Sequence, residues 1–410
     1  TRSVATALTQ STGLSIEDLG QRWNDSLQRR YFPEVSERQP LREVATLISD
    51  LREFGTYNTS PAITPQGDRI AFISNRRGAS IGANVFDVVV VNATTGEGLK
   101  TLIRGEDSPM FEELNILNPN LSWSPDGTRL ALSAKSEGRY NLAIVEYESG
   151  EMQMYQFPSI DAMASVAWSP DGTKIAFDGN IGGYQSIFVF DIEERELSNL
   201  TRDVFTDREP AWGPDSETIY FASNRGDRLR AGQHLSGYSI LQHEFAYQTD
   251  IYSIRLGSNR INRLTNTPYA SETQPTLTAD GRLVLVSDQN GIPNIYEYDF
   301  ETRSMTPLTD VRTGVMQISI SADGSRLAFN ALNEGYNHLY LMRNPFDHRM
   351  DRELSPNYWA ERRATESIFE RVPATRFAAE MINRRQRGNL VMSRLPGRGR
   401  PRPRHRQEAA

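Results

Sequence analysis

Apolar and polar positions alternate through the middle of this chain in a pattern that repeats. "LSWSPDGTRLALSA" from Leu121 and "VAWSPDGTKIAFDG" from Val166 set out the same order of events. An apolar stretch enters a turn, and a second stretch leaves it with every other residue apolar, as in Leu130 and Leu132 or Ile175 and Phe177. Period two predicts a strand with one face covered. Within the turn, Pro125 presets φ, Asp126 follows, and Gly127 takes a left-handed position; Asp171 and Gly172 repeat this. The pattern recurs six times with drift, starting at Pro61, Leu121, Val166, Pro210, Pro275 and Ile318. Asp126, Asp171, Asp215, Asp280 and Asp323 lie 45, 44, 65 and 43 residues apart, with Gly281 and Gly324 completing the last two turns.

A period near 44 with insertions fits a four-stranded propeller blade. The third strand of each unit is aromatic and aliphatic ("NLAIVEY", "SIFVFDI", "DIYSIRL", "NIYEYDF", "HLYLMRN"), and the fourth is short and polar ("LSNLTRD", "RINRLTN", "SMTPLTD"). A lone blade leaves both faces bare, so blades pack around an axis. No polar fourth strand follows the sixth unit, but "EVATLISD" at 43–50 precedes the first. That segment is predicted to be the outer strand of blade six, which removes the open edge. The expected fold is all-β, a six-bladed β-propeller over 43–346, closed by an N-terminal strand and carrying short α-helical flanks.

These units resemble the WD40-like repeat of the TolB-type propeller, whose hallmark is "WSPDG" followed by an "IAF" strand. Trp123 to Gly127 and Trp168 to Gly172 match it in full; Trp212 to Asp215 keeps most of it, with Gly213 for Ser and Ser216 for Gly. Blades one, five and six lack the Trp, and blade one has Gln66 for Asp. The resemblance implies an interaction module of the bacterial envelope, periplasmic or extracellular. TolB-type propellers bind a peptidoglycan-associated lipoprotein. The α/β domain expected before such a propeller has no counterpart in this sequence, so that partner does not carry over.

Residues 1–34 predict a helical flank. Ser15 and Asp18 form a capping box, and Ile16, Leu19, Trp23, Leu27 and Tyr31 fall on one stripe. Ending in "RRYFPEV", this flank resembles the tail of the zinc-metallopeptidase domain that precedes some TolB-like propellers, which would make it the end of an upstream domain. Residues 351–387 predict two more helices, presenting Trp359, Ile368, Phe369 and Val372, then Phe377 and Met381. Residues 388–410 predict a disordered Arg/Pro-rich tail, either solvated or drawn weakly to acidic surfaces. The formal net charge is −7, yet 384–410 hold nine arginines and one acid, Glu408. An acidic body with a basic tail argues against a nucleic-acid-binding face. No apolar run reaches membrane-spanning length, and there is no cysteine. The chain opens at Thr1, which fits a processed chain or a fragment.

The sequence carries no recognised catalytic pattern. The histidines are 234, 243, 338, 348 and 405, with no HExxH, and no metal set is expected. "GASIG" at Gly78 to Gly82 satisfies G-x-S-x-G but lies between strands of one blade, without the strand-to-helix elbow that makes such a serine a nucleophile. No phosphate- or dinucleotide-binding motif occurs, so no cofactor is expected. The repeated aspartates, spread one per blade, read as turn formers, and Trp123, Trp168 and Trp212 as packing. Function then falls to the loops. Insertions at 75–84, 105–118 and 225–249 share the face opposite the repeated turns. The longest carries Arg228, Arg230, His234, Tyr238, His243, Phe245 and Tyr247, suited either to a protein partner or to plugging the channel mouth. Asp203 and Asp207 are placed on that face as polar or cation contacts. The expected function is a non-catalytic protein-interaction scaffold; the alternative is an accessory or gating propeller of a secreted zinc metallopeptidase whose catalytic domain lies upstream.

Overall fold

A computed structural model of the chain describes residues 4–76, 85–105, 112–114, 116, 119–232 and 248–365. Its strands form six antiparallel sheets in a ring. Blade 1 is Asn58–Ile63, Arg69–Ser74, Asp87–Asn92 and Lys100–Arg104. Blade 2 has Glu113–Leu114 and Ser122–Trp123 together as its inner strand, then Arg129–Ser136, Arg139–Glu146 and Met152–Tyr155. Blade 3 is Ala162–Trp168, Lys174–Ile181, Tyr184–Asp191 and Leu197–Asn199; blade 4 is Asp207–Trp212, Thr218–Ser223, Asp250–Arg255 and Ile261–Arg263. Blade 5 is Glu272–Leu277, Leu283–Ser287, Asn294–Asp299 and Ser304–Pro307, and blade 6 is Val315–Ile320, Arg326–Asn333 and Tyr336–Arg343.

The ring closes as the polar fourth-strand pattern predicts. Thr46–Leu47 pairs antiparallel with Leu341 and Tyr340, as the outer strand of blade 6. One hydrogen bond shows that the early segment replaces a missing repeat element. In blades 3, 4 and 5 a threonine hydroxyl at the end of the fourth strand accepts from the third strand: Thr201 from the Ile187 N–H, Thr265 from Ile251 and Thr309 from Ile295. In blade 6 the Ser49 hydroxyl accepts from the Leu339 N–H at 2.8 Å in the same way. The imidazole of buried His338 adds a 3.1 Å contact to the Ser49 carbonyl. Just upstream, the Gln39 N–H donates to the Asp310 carbonyl, and buried Arg38 reaches the Asp310 carboxylate at 3.3 Å, fastening the lead-in segment to blade 5.

Apolar residues of neighbouring blades interleave. Ala176, Ile187 and Val189 of blade 3 pack on Trp212, Ile219, Phe221, Tyr252 and Ile254 of blade 4. Fully burying a side chain of this size stabilises by about 1.5–3 kcal/mol, which makes such seams the main source of cohesion. In the N-terminal flank, Val4–Thr12 and Ile16–Ser36 are helices. Half of the capping box is seen: the Ser15 hydroxyl accepts from the Asp18 N–H at 3.0 Å, and the Asp18 carboxylate accepts from that same hydroxyl at 2.8 Å. The second helix runs through Pro33 to Ser36. Along its stripe Leu19, Leu27 and Tyr31 are half-buried, with Tyr31 meeting Tyr358 edge-on and Arg30 4.1 Å from that ring, while Ile16 and Trp23 stay exposed. C-terminally, Tyr358–Thr365 is a helix capped by the Asn357 carboxamide, which accepts from the Ala360 N–H. The second helix proposed for this flank and the basic tail lie outside the described residues.

Candidate functional site

The repeated turns build one end of the ring. In blade 2 the Asp126 carboxylate accepts from the Ser124 hydroxyl at 2.5 Å and from the Thr128 N–H and hydroxyl at 3.0 Å. The Ser124 bond, then the Thr128 bonds, hold its carboxyl below the usual range against partial burial. Asp171, Asp280 and Asp323 accept from the equivalent hydroxyl, while Asp215, with Gly213 in the serine's place, accepts from the Glu217 and Thr218 N–H groups and the Thr218 hydroxyl. Each aspartate is thus spent on its own turn. Gly127 and Gly172 sit at φ of 70° and 78°, where a Cβ is strained. In blade 4 Ser216 takes that position at φ 54°, and its hydroxyl accepts from the Asp171 N–H of blade 3.

The tryptophans do more than pack. The Trp123 indole N–H donates to the Ala62 carbonyl of blade 1 at 2.9 Å, and Trp212 donates to Ala167 of blade 3 at 3.0 Å. Trp168 instead donates to Gly172 within its own blade. Blades five, six and one, degenerate in sequence, are joined differently. There Ala279 and Ala322 stand where blades 2 to 4 have Pro125, Pro170 and Pro214. Alanine keeps the N–H that proline lacks: Ala279 donates to the Ala322 carbonyl at 2.8 Å and Ala322 to Pro65 at 2.9 Å.

Inside this ring of turns the channel opens into a cavity of about 420 Å³, with lining from all six blades. Its wall includes Ala62, Leu121, Val166, Ala211, Leu277 and Ile320, with the turn prolines at the rim. Beneath it the inner strands bulge, and polar side chains meet. The Gln317 carboxamide of blade 6 accepts from the Thr59 hydroxyl and the Ser60 N–H of blade 1. It donates to the Pro119 carbonyl and the Asn120 side chain of blade 2, so it ties three blades at the axis. On the other side Asp178 accepts from the Ser165 and Glu209 N–H groups, and Glu209 accepts from Gln274. Burial lifts the Asp178 carboxyl to about 6 against the bonds from Glu209 and Ser165.

At the opposite end, the structure engages Asp203 and Asp207 internally. Arg225 lies between them, with Nη1 3.0 Å from Asp203 and Nη2 2.6 Å from Asp207, and all three side chains are buried. Phe205, Phe221 and Tyr252 surround the guanidinium. Burial, then the charge of Asp207, raise Asp203 to about 6 against the pull of Arg225. The repeat pattern does not single out Arg225, although the sequence carries a signal for it: Ser-Asn-Arg runs on from the last residue of strand two at 74–76 and again at 223–225. Arg228 and Arg230 lie elsewhere. The described start of the insertion runs down the outer edge of blade 4, where Leu229 and Ala231 pair with Ile261 and Asn259. There Asp227, Arg228, Leu229, Arg230, Asn259 and Arg260 line a cavity of about 580 Å³. This stretch does not cross the channel. His234, Tyr238, His243, Phe245 and Tyr247 lie outside the described residues, as do Gly78 to Gly82. Among the described residues no cluster of three metal-ligating side chains occurs, and no helix is long and apolar enough to cross a membrane.

Residues 112–230, covering blades 2 and 3 and the first half of blade 4, match the family described as TolB beta propeller domain. No match was found among curated proteins. Similar solved structures include TolB from Acinetobacter baumannii, at 18% identity and a TM-score of 0.47 over 74% of this chain and 66% of that one. Others are an oligogalacturonate lyase from Vibrio parahaemolyticus (14%, 0.47, 74% and 94%) and a puromycin-hydrolyzing peptidase of Mycobacterium tuberculosis (15%, 0.46, 75% and 54%). The propeller itself rests on the strand pairing above.

Proposed function

Taking residues 112–230 as TolB-type propeller repeats within a closed six-bladed ring, we propose that the chain is a non-catalytic protein-interaction scaffold of a bacterial envelope compartment. The observation that carries this reading is the channel mouth: a cavity of about 420 Å³, walled by apolar side chains from six blades and fixed by turn-to-turn and indole hydrogen bonds. A rigid apolar depression suits side chains projecting from a partner, because little ordering is needed on the propeller's side. A second contact zone is the outer edge of blade 4 around Arg228 and Arg230, with the insertion that follows it. The test is capture from an envelope extract on immobilised protein. Ala211→Glu, at a half-buried wall position, is expected to abolish retention of the partner with an unchanged melting temperature. Arg228→Ala is expected to weaken it severalfold. Retention by Ala211→Glu equal to that of the parent would rule out the mouth. The second reading, an accessory propeller of a peptidase, is favoured by the unfilled apolar stripe around Trp23. It predicts association with a peptidase domain that depends on Trp23 and not on Ala211.

A further inference from the structure

The insertion of blade 4 rejoins its blade at Asp250, where blade 4 meets blade 5. Glu272, the first residue of blade 5's inner strand, donates its N–H to the Thr249 carbonyl at 2.7 Å. Both carboxyls are buried, Glu272 at 0% and Asp250 at 1% exposure. One oxygen of each is accounted for: Glu272 Oε1 accepts from the Ser287 hydroxyl at 3.0 Å, and Asp250 Oδ2 from Arg263 Nη2 at 2.7 Å. The other two, Glu272 Oε2 and Asp250 Oδ1, are shut off from solvent, and no N–H or hydroxyl of the described residues reaches them. The two carboxyl groups lie within hydrogen-bonding reach of each other.

Two desolvated carboxylates facing each other through bare lone pairs repel strongly, and a single proton between them turns the repulsion into a charge-assisted hydrogen bond. We propose that Asp250 and Glu272 share one proton, and that this proton is a latch joining blade 4 to blade 5 that holds in acid and loosens in base. The surrounding charges support it. Arg263, on blade 4's outer strand, serves Asp250 and also Asp227 at 2.7 Å. It is thus shared between two acids, of which only Asp227 is exposed. The other groups turned toward the pair are neutral: Thr265, Thr267 and Gln248 from the loops, Ser287 from blade 5's second strand, and the Tyr252 and Tyr296 phenols from the two third strands. Arg225 stands beyond Tyr252 and is occupied by Asp203 and Asp207. Burial first, then the charge of Asp250, lift the Glu272 carboxyl to about 8.

The linkage has a definite sign. An acid whose pKa is raised on folding keeps in the native state a proton that the unfolded chain gives up. Its stabilisation is therefore complete below the ordinary carboxyl range and is lost as pH rises toward about 8. The experiment is thermal and urea unfolding of the full chain between about pH 5 and about pH 9, for the parent, Glu272→Gln and Asp250→Asn. The unfolding constant of the parent relative to Glu272→Gln is expected to rise by up to about tenfold per pH unit within that window. In infrared difference spectra the parent is expected to show a protonated-carboxyl band at neutral pH that is missing in Glu272→Gln. In Asp250→Asn, where the neighbouring charge is gone, that band is expected to change its titration midpoint. A pH-independent difference between parent and Glu272→Gln overturns the proposal, as does absence of the band in the parent, a measurement that needs no variant. Stabilisation of the parent by millimolar calcium at alkaline pH, absent in Glu272→Gln, would overturn it too, assigning the oxygens to a cation instead of a proton.

Discussion

Arg225 is the residue on which the insertion end of the ring depends most. Its guanidinium has no access to solvent and is neutralised by two buried carboxylates. Removing one member of a buried ionic group leaves an uncompensated charge in an apolar setting, which costs about 3–5 kcal/mol. Arg225→Met is therefore expected to lower the urea midpoint sharply, and a triple change that also turns Asp203 and Asp207 into Leu is expected to recover much of the loss. At the opposite end, Trp123→Phe keeps the ring but strands the Ala62 carbonyl. The expected loss is about 1–2 kcal/mol, read by chemical denaturation. Trp168→Phe breaks a bond within its own blade, so it is expected to leave the blade 2–blade 3 seam intact. Ser216 shows two residue-scale demands in opposition. Glycine relieves the strain of φ 54° but forfeits the hydroxyl that accepts from the Asp171 N–H. Ser216→Gly is accordingly expected to shift stability by less than about 1 kcal/mol.

Among the elements, the closing strand is very short yet the most consequential. Thr46–Leu47 supplies only two paired residues, so closure draws on what flanks it: the Ser49 hydroxyl on Leu339, His338 on the Ser49 carbonyl, and Arg38 with Gln39 on Asp310. Ser49→Ala is expected to cost about 1 kcal/mol, measured by urea titration. Deleting 37–50 exposes the third strand of blade 6 and is expected to drive aggregation, read by light scattering. The polar "LTD"-like text at 43–50 made this element legible, because a hydroxyl at a fixed place in a fourth strand does the same job in every blade that has one. The bond knitting blade 5 to blade 6 was not legible in the same way. Ala279 looks like a lapse from the repeat until its freed N–H is seen meeting the Ala322 carbonyl.

For the whole molecule, spacing and turn chemistry determined the number of blades, their strand order and the joining of both ends of the propeller. All of these follow from local pattern: period two within strands, proline, aspartate and glycine in fixed order at turns, and one surplus strand at the start against one missing at the end. The aspartates of the turns were legible for the same reason, since an Asx turn is closed by atoms a few residues apart. What faces what across the ring was decided only by the tertiary structure. Asp203 and Asp207 stood open in the sequence because the arginine that fills the space between them comes from the end of another strand. The insertion was expected on a channel face, yet its described start follows the outer edge of blade 4, because the free edge of Ile261–Arg263 offers backbone partners that the sequence does not display. The carboxyls of Asp250 and Glu272 belong to different blades, so their encounter, and the proton it calls for, exist only once blades 4 and 5 have packed.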